Sequence, residues 1–257
     1  LGFFFEVKTT ERFSDRVENY VKYRPGYPVE VLNRLSREGV LTENSVIADV
    51  GSGTGISSWL YLENNFEVFG VEPNAEMRKA AEEYLINYKR FHSINGTAEN
   101  TTLKDHSVDI VLAGQAFHWF DAEKAKQEFK RILKPGGYVV LVWNDRRTDS
   151  TDFLRSYEDL LKMFGTDYAK VNHKNVDEKI FDAFWGKAKW KTFSVDNHQD
   201  FDFTGLKGRL FSSSYVPKED HPDSAFMVNV LKKIFLRYQE NGTVRFEYDT
   251  KVFYGQL

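Results

Sequence analysis

Asp49-x-Gly51-x-Gly53-x-Gly55 is the stretch whose residue types and spacing most clearly serve chemistry. Glycine lets a backbone take positive φ and lets a ligand approach amides that a side chain would cover. The run therefore reads as the cradle of a nucleotide-like cofactor. Glu72 follows twenty-one residues beyond Gly51, where a carboxylate can accept both hydroxyl hydrogen bonds of a ribose. Singly, such a glycine turn is often only a tight turn, and an acidic strand end only a solvated charge. In register, the pair is far more specific. His118 lies between Phe117 and Trp119; its ordinary pKa of about 6.5 suits a general base, a hydrogen-bonded structural histidine being the alternative. Arg24 carries a guanidinium able to bind a carboxylate bidentately, or it is a solvated residue of an interhelix turn.

These residues need particular elements to hold them. Val46, Ile47, Ala48 and Val50 form an apolar run suited to a strand buried on both faces, and Ile56, Trp59 and Leu60 follow at helical spacing. Strand, glycine turn and helix in that order open a doubly wound α/β sheet, whose ligands lie at the carboxyl ends of the strands. Residues 66–71 make a second strand ending at Glu72, residues 73–88 a helix, 90–94 a third strand and 108–113 a fourth. Upstream, residues 13–23 read as a helix that Ser14 can cap, and Tyr23-Arg-Pro-Gly-Tyr-Pro28 stops it before a helix with Val29, Val31, Leu32 and Leu35 on its apolar face. Asp121 caps a helix ending at Lys134-Pro-Gly-Gly137, before a strand over 138–143. Beyond Asn144, helices are predicted near 152–164, 204–213 and 224–239, with strands at 190–195 and 243–254.

The glycine pattern, with Ile56 where the dinucleotide fingerprint has its third glycine, resembles motif I of the class I S-adenosylmethionine-dependent methyltransferases. Ala116-Phe-His-Trp-Phe120 followed by Leu133-Lys-Pro-Gly-Gly137 resembles their small-molecule, trans-aconitate methyltransferase-like group. The resemblance covers about residues 13–143. It implies an α/β fold with a doubly wound, Rossmann-like, seven-stranded, mostly parallel sheet and an antiparallel last strand. It also implies S-adenosylmethionine as cofactor and S-adenosylhomocysteine as product. The cofactor residues it implies are Asp49, Gly51, Ser52, Gly53 and Gly55 around the methionine part, Glu72 and Pro73 at the ribose and Met77 over the adenine. Thr97, Ala98 and Glu99 would lie at the base edge, Gln115, Ala116 and Phe117 across the cleft, and Arg24, or with less weight Tyr20, over the carboxylate. Tyr23, His118 and Trp119 would line the substrate pocket, with His118 the candidate catalytic residue. The expected reaction is methyl transfer to a small soluble metabolite, at a carboxylate or hydroxyl oxygen. The rivals are a SAM-binding regulatory subunit that has lost transfer, and a nicotinamide-dependent reductase, whose glycine spacing and Tyr-x-x-x-Lys pair are both missing here.

Composition narrows the partners. The 257 residues are 41% hydrophobic, enough for one domain over 1–257 with N-terminal helices at about 10–40, a cofactor core at about 41–145, and a lid with the last strands at about 146–257. A net charge of −3 with interspersed signs leaves no basic footprint for nucleic acid. The apolar residues 1–5 are too few for a signal peptide or membrane span. Without cysteine, disulfides, Cys-liganded zinc and thiol catalysis are excluded, and no metal is expected. A cytoplasmic monomer or homodimer acting on a small molecule is the expectation. Trp185, Trp190, Phe203, Phe211 and Tyr215 could line a lid, ordinary core being the alternative for each. Arg146, Arg147 and Arg209 are the cations available to an acidic substrate.

Overall fold

The computed structural model describes residues 23–165, 178–213 and 215–257. The helix expected over 13–23, its cap Ser14 and Tyr20 therefore lie outside the described residues, apart from Tyr23. Seven strands form one sheet in the order β3-β2-β1-β4-β5-β7-β6. They are β1 (Val46–Val50), β2 (Glu67–Val71), β3 (Phe91–Ile94), β4 (Val108–Gly114), β5 (Leu133–Arg146), β6 (Trp190–Phe201) and β7 (Val244–Gly255). The first five pair in parallel, and β7 runs antiparallel to both of its neighbours. Because β1 has β2 on one side and β4 on the other, the order reverses between β1 and β4. A crevice opens at their carboxyl ends.

Alternation along the strands sends side chains to two cores. Ile47, Ile110, Leu112, Val140 and Val142 join one cluster with Val31, Leu32 and Leu35 of α1 (Glu30–Arg37). Ala48, Val50, Val111, Ala113 and Leu141 join the other with Ala125, Phe129 and Ile132 of α4 (Ala122–Ile132). Between them in the chain come α2 (Ile56–Glu63) and α3 (Ala75–Tyr84). A third cluster belongs to the later chain: α5 (Asp152–Phe164), α7 (Phe203–Phe211) and α8 (Ser224–Tyr238) cover Val244, Phe246 and Tyr248 of β7. β7 thus serves all three cores, since its Val252 and Tyr254 pack in the first and Phe253 against the second.

Several elements differ from expectation. Val29 is exposed because α1 begins at Glu30 and leaves it at the cap. Lys134-Pro-Gly-Gly137 lies inside β5 as an irregularity, across which the pairing jumps from Val108–Leu133 to Ile110–Tyr138. β6 runs to Phe201, well past its predicted end, because all twelve of its residues pair with β7. The unexpected α6 (Glu178–Trp185) buries Phe181, Phe184 and Trp185 beside Trp143 and Phe253. Eight aromatic-rich residues have little intrinsic helicity, so packing selects this helix. Trp185 and Trp190 belong to that core and not to a lid, whereas Phe203, Phe211 and Tyr215 join the third cluster. Among the described residues no helix is long and apolar enough to cross a membrane.

The loop of residues 95–107 is pinned by one buried carboxylate. Glu128 of α4 accepts hydrogen bonds from the Thr101 amide at 2.8 Å and hydroxyl at 2.6 Å, and from Arg131 at 2.6 and 2.8 Å. Burial alone would raise the Glu128 carboxyl, but the bonds from Arg131 and Thr101 outweigh it and hold the group below its ordinary 4.5. A depressed carboxylate contributes stability that is complete above its unfolded pKa and lost as pH falls through the folded one. Glu128→Gln should therefore destabilise the fold at pH 7 by about 1.5–3 kcal/mol, with the gap from wild type closing as pH drops below 4.5. Urea melts between pH 3 and pH 7 measure this; curves separated equally at every pH would contradict it.

Candidate active site

The glycine turn leaves β1 with φ of +69° at Gly51 and +55° at Gly53, a region that costs other residues about 1–2 kcal/mol. The amides of Gly51 and Ser52 donate to the Val71 carbonyl at 2.8 and 3.2 Å, hooking the turn over the end of β2. A Cβ on Gly51 would stand 2.7 Å from the Ala116 Cβ, so the segment after β4 packs directly on the loop. At Gly53 nothing lies within 4 Å of such a Cβ. Gly51 is therefore required by packing, and Gly53 is the glycine with an open outer side.

Two carboxylates flank this turn. Glu72 accepts from the Gly53 amide at 3.0 Å and the Asn74 amide at 2.9 Å, one on each oxygen. Burial raises its pKa against the pull of these amides. Each oxygen keeps a lone pair for a further donor. Arg78 donates to the carbonyls of Glu72 and Pro73 at 2.8 Å and so shapes the strand end. Asp49 is completely buried, and its Oδ2 accepts from the Ser57 and Ser58 hydroxyls at 2.6 Å each. Burial pushes it up to about 6 despite those two bonds. The Asp49 Oδ1, Thr54 Oγ1 and Gln115 Oε1 are buried without hydrogen-bond partners. Three orphaned acceptors on β1, its turn and the segment after β4 suit a ligand rich in N–H and O–H donors, as the amino and ribose groups of S-adenosylmethionine are.

The remaining expected residues fall around this centre. Met77 is buried in the first turn of α3, which Asn74 caps through the amides of Glu76 and Met77. Thr97 closes a turn with Asn100, Ala98 is buried, and Glu99 accepts from the Asp121 amide at 3.0 Å. Glu99 thus ties the loop to the cap of α4. Gln115 has φ of +58° and donates to the Asn144 carbonyl at 3.2 Å. Phe117 is buried edge-on against Phe184 and Phe120. His118 is half-buried with its ring 4.7 Å from Trp119, which is exposed. Arg24 donates to the Ser212 carbonyl at 2.9 Å, and Tyr23 packs against Gly208 of α7 and Phe201.

Sequence reasoning missed Ser57, Ser58 and Arg78, which hold the carboxylates and strand end. It also missed Asn144 as a knot. The Asn144 amide donates to the Gly26 carbonyl at 3.1 Å, and its Oδ1 accepts from Thr250 and Asn197. The Tyr27 hydroxyl lies 2.8 Å from where a Gly114 Cβ would stand. Residues 23–27 are thereby strapped over the end of β4. The only available signal was that a strand-end asparagine is a common hydrogen-bonding junction. A separate groove beside Tyr138, Lys189 and Lys191 lies at the amino end of β5, away from this site.

A family described as a methyltransferase domain matches residues 48–141. An uncharacterised methyltransferase-like protein of Schizosaccharomyces pombe is 28% identical over 250 residues, covering 94% of this chain and 93% of that one. An uncharacterised methyltransferase of the same organism is 30% identical over 206 residues, covering 79% and 72%. Among solved structures, one provisionally described as a type II methyltransferase from Anaeromyxobacter dehalogenans superposes with a TM-score of 0.67 at 20% identity, covering 91% of this chain and 98% of that one.

Two outcomes follow from the site. Gly51→Ala and Gly53→Ala should share a backbone cost of about 1–2 kcal/mol, with overpacking of about 1–3 kcal/mol added at Gly51 alone. Gly53→Ala should stay folded yet bind S-adenosylmethionine more weakly in calorimetric titration; normal binding would reduce that glycine to a turn former. For Asp49, a raised carboxyl costs stability once ionised, so stability falls as pH rises from 3.8 to about 6. Asp49→Asn should therefore melt higher than wild type at pH 7 in the free protein, with the gain vanishing toward pH 4. A gain independent of pH would refute the assignment.

Proposed function

We infer the reaction from the premise that the chain belongs to the S-adenosylmethionine-dependent methyltransferase family: it methylates a small soluble metabolite at an oxygen, a carboxylate or a hydroxyl. The observation that carries this reading is the open side of Gly53, set between the Glu72 carboxylate and the three orphaned acceptors. When bound, S-adenosylmethionine supplies a methyl group already activated on a sulfonium. The chain mainly has to position the reactants, and effects of this kind can lower a barrier by about 7–11 kcal/mol. Glu72 holds ribose hydroxyls while keeping the turn closed through the Gly53 amide. Tyr27 and the segment after β4 flank the same crevice. His118, beside Trp119, takes the proton of a hydroxyl acceptor; a carboxylate acceptor needs no base. We place this activity in the cytoplasm, on a monomer or homodimer with no nucleic-acid or membrane partner, in keeping with the charge distribution.

The test is incubation with S-adenosylmethionine and separate pools of carboxylic acids, phenols, amines and a short RNA, with mass spectrometry of the products. Methylated acids or phenols are expected. Turnover confined to amines or RNA would overturn the acceptor class, and binding without turnover of any pool would favour a regulatory SAM-binding protein. With a hydroxyl acceptor, His118→Ala should lower kcat by about 10²–10⁴-fold; with a carboxylate acceptor it should leave kcat near wild type.

A further inference from the structure

Beyond the cofactor crevice the third core holds a charge that no carboxylate among the described residues pairs. Arg209 of α7 is only 5% exposed, and a guanidinium stays charged at any physiological pH. Its hydrogen-bond partners are hydroxyls: Ser213 at 3.2 Å, Ser212 at 3.4 Å and Tyr248 at 3.5 Å. Its guanidinium lies 5.9 Å from the centre of the Phe246 ring. No carboxylate among the described residues pairs with it. An ion withdrawn from water without a counter-charge costs several kcal/mol, so a structural role alone gives no reason for arginine here.

The neighbours favour an anion. Arg24 donates to the carbonyl of Ser212, the same residue whose hydroxyl Arg209 contacts. Arg146, paired with Glu158, lies 5.3 Å from the centre of the Tyr157 ring. The Tyr157 hydroxyl is buried with no hydrogen-bond partner. Burial pushes the Tyr215 phenol up, yet Arg209, Arg24, a hydrogen bond with Ser213 and Arg146 outweigh it and hold it below its ordinary value. Arg24 and Arg209 thus meet at Ser212 and, with Arg146 beside Tyr157, form one cationic cluster. It adjoins the active site, because Arg24 belongs to the strap whose Tyr27 reaches Gly114, and Arg146 follows two residues after Asn144, which holds Gln115.

We propose that Arg209, with Arg24, Tyr157 and Tyr215 around it, forms a carboxylate-binding subsite that anchors an acidic substrate; this rests on the small-metabolite reading above. A carboxylate fits better than a phosphate on charge: Arg146 already faces Glu158, and the planar fork of Arg209 matches a single carboxylate.

The test compares wild type with Arg209→Met, which keeps the stem and removes the charge. Thermal melts are run at constant ionic strength with succinate, tricarballylate, inorganic phosphate or chloride, and S-adenosylmethionine binding is measured by calorimetry. The expected result is a carboxylate-dependent rise in wild-type Tm, absent in Arg209→Met, with S-adenosylmethionine affinity unchanged and a variant Tm equal to or above wild type without additive. A structural arginine would give a lower variant Tm and no carboxylate effect in wild type. That outcome, a response to phosphate alone, or an equal carboxylate response in both proteins overturns the proposal. Should the variant not fold, Arg209→Lys replaces it: a retained charge without the fork should weaken the carboxylate response at least tenfold, and an unchanged response overturns the proposal. Loss of the methyltransferase reading would show separately, as wild type failing to bind S-adenosylmethionine.

Discussion

The Glu72 carboxylate, gripped by the amides of Gly53 and Asn74, is the interaction on which the site depends. It joins the turn after β1 to the start of α3 across the end of β2. A buried amide without an acceptor costs about 1–3 kcal/mol. The carboxylate therefore fixes the shape of the turn first and is available to a ribose second. Ser57 and Ser58 do the matching service for Asp49, and Arg78 for the carbonyls that follow β2. Polar groups around this crevice are tied to backbone on one side and left open on the other.

Much of this was legible in the sequence because it is written at short range. A buried strand, a glycine turn and a helix are neighbours along the chain, and Asp121 caps α4 with its own side chain. The antiparallel β7 was legible through the alternation of Val244, Phe246 and Tyr248 with charged residues. What escaped was long-range or energetically indirect. α6 has no helical signature apart from the aromatic pocket it fills. The full length of β6 depends on β7, whose pairing no local pattern reveals. The Asn144 knot unites residues separated by up to 171 positions. The ring contact of Phe117 with Phe184, more than sixty positions away, is likewise hidden from any local pattern.

Charge is distributed unevenly between the two halves of the fold. At the carboxyl ends of β1 and β2, burial raises two acids, Asp49 and Glu72. In the third core, buried guanidiniums gather around tyrosines.

The sharing of β7 among the cores has a consequence for how such a chain diverges. The family match stops at residue 141, while α5, α7, α8 and the first half of β7 come later and pack as a cluster of their own. The ladder joining β7 to β5 and β6 is made by backbone groups and is indifferent to most side-chain replacements. Substitutions in the late helices can then repack that cluster while the ladder keeps the first half of the sheet in register. A lineage built this way can vary one part of the molecule by drift without first relearning how to hold its cofactor in the other.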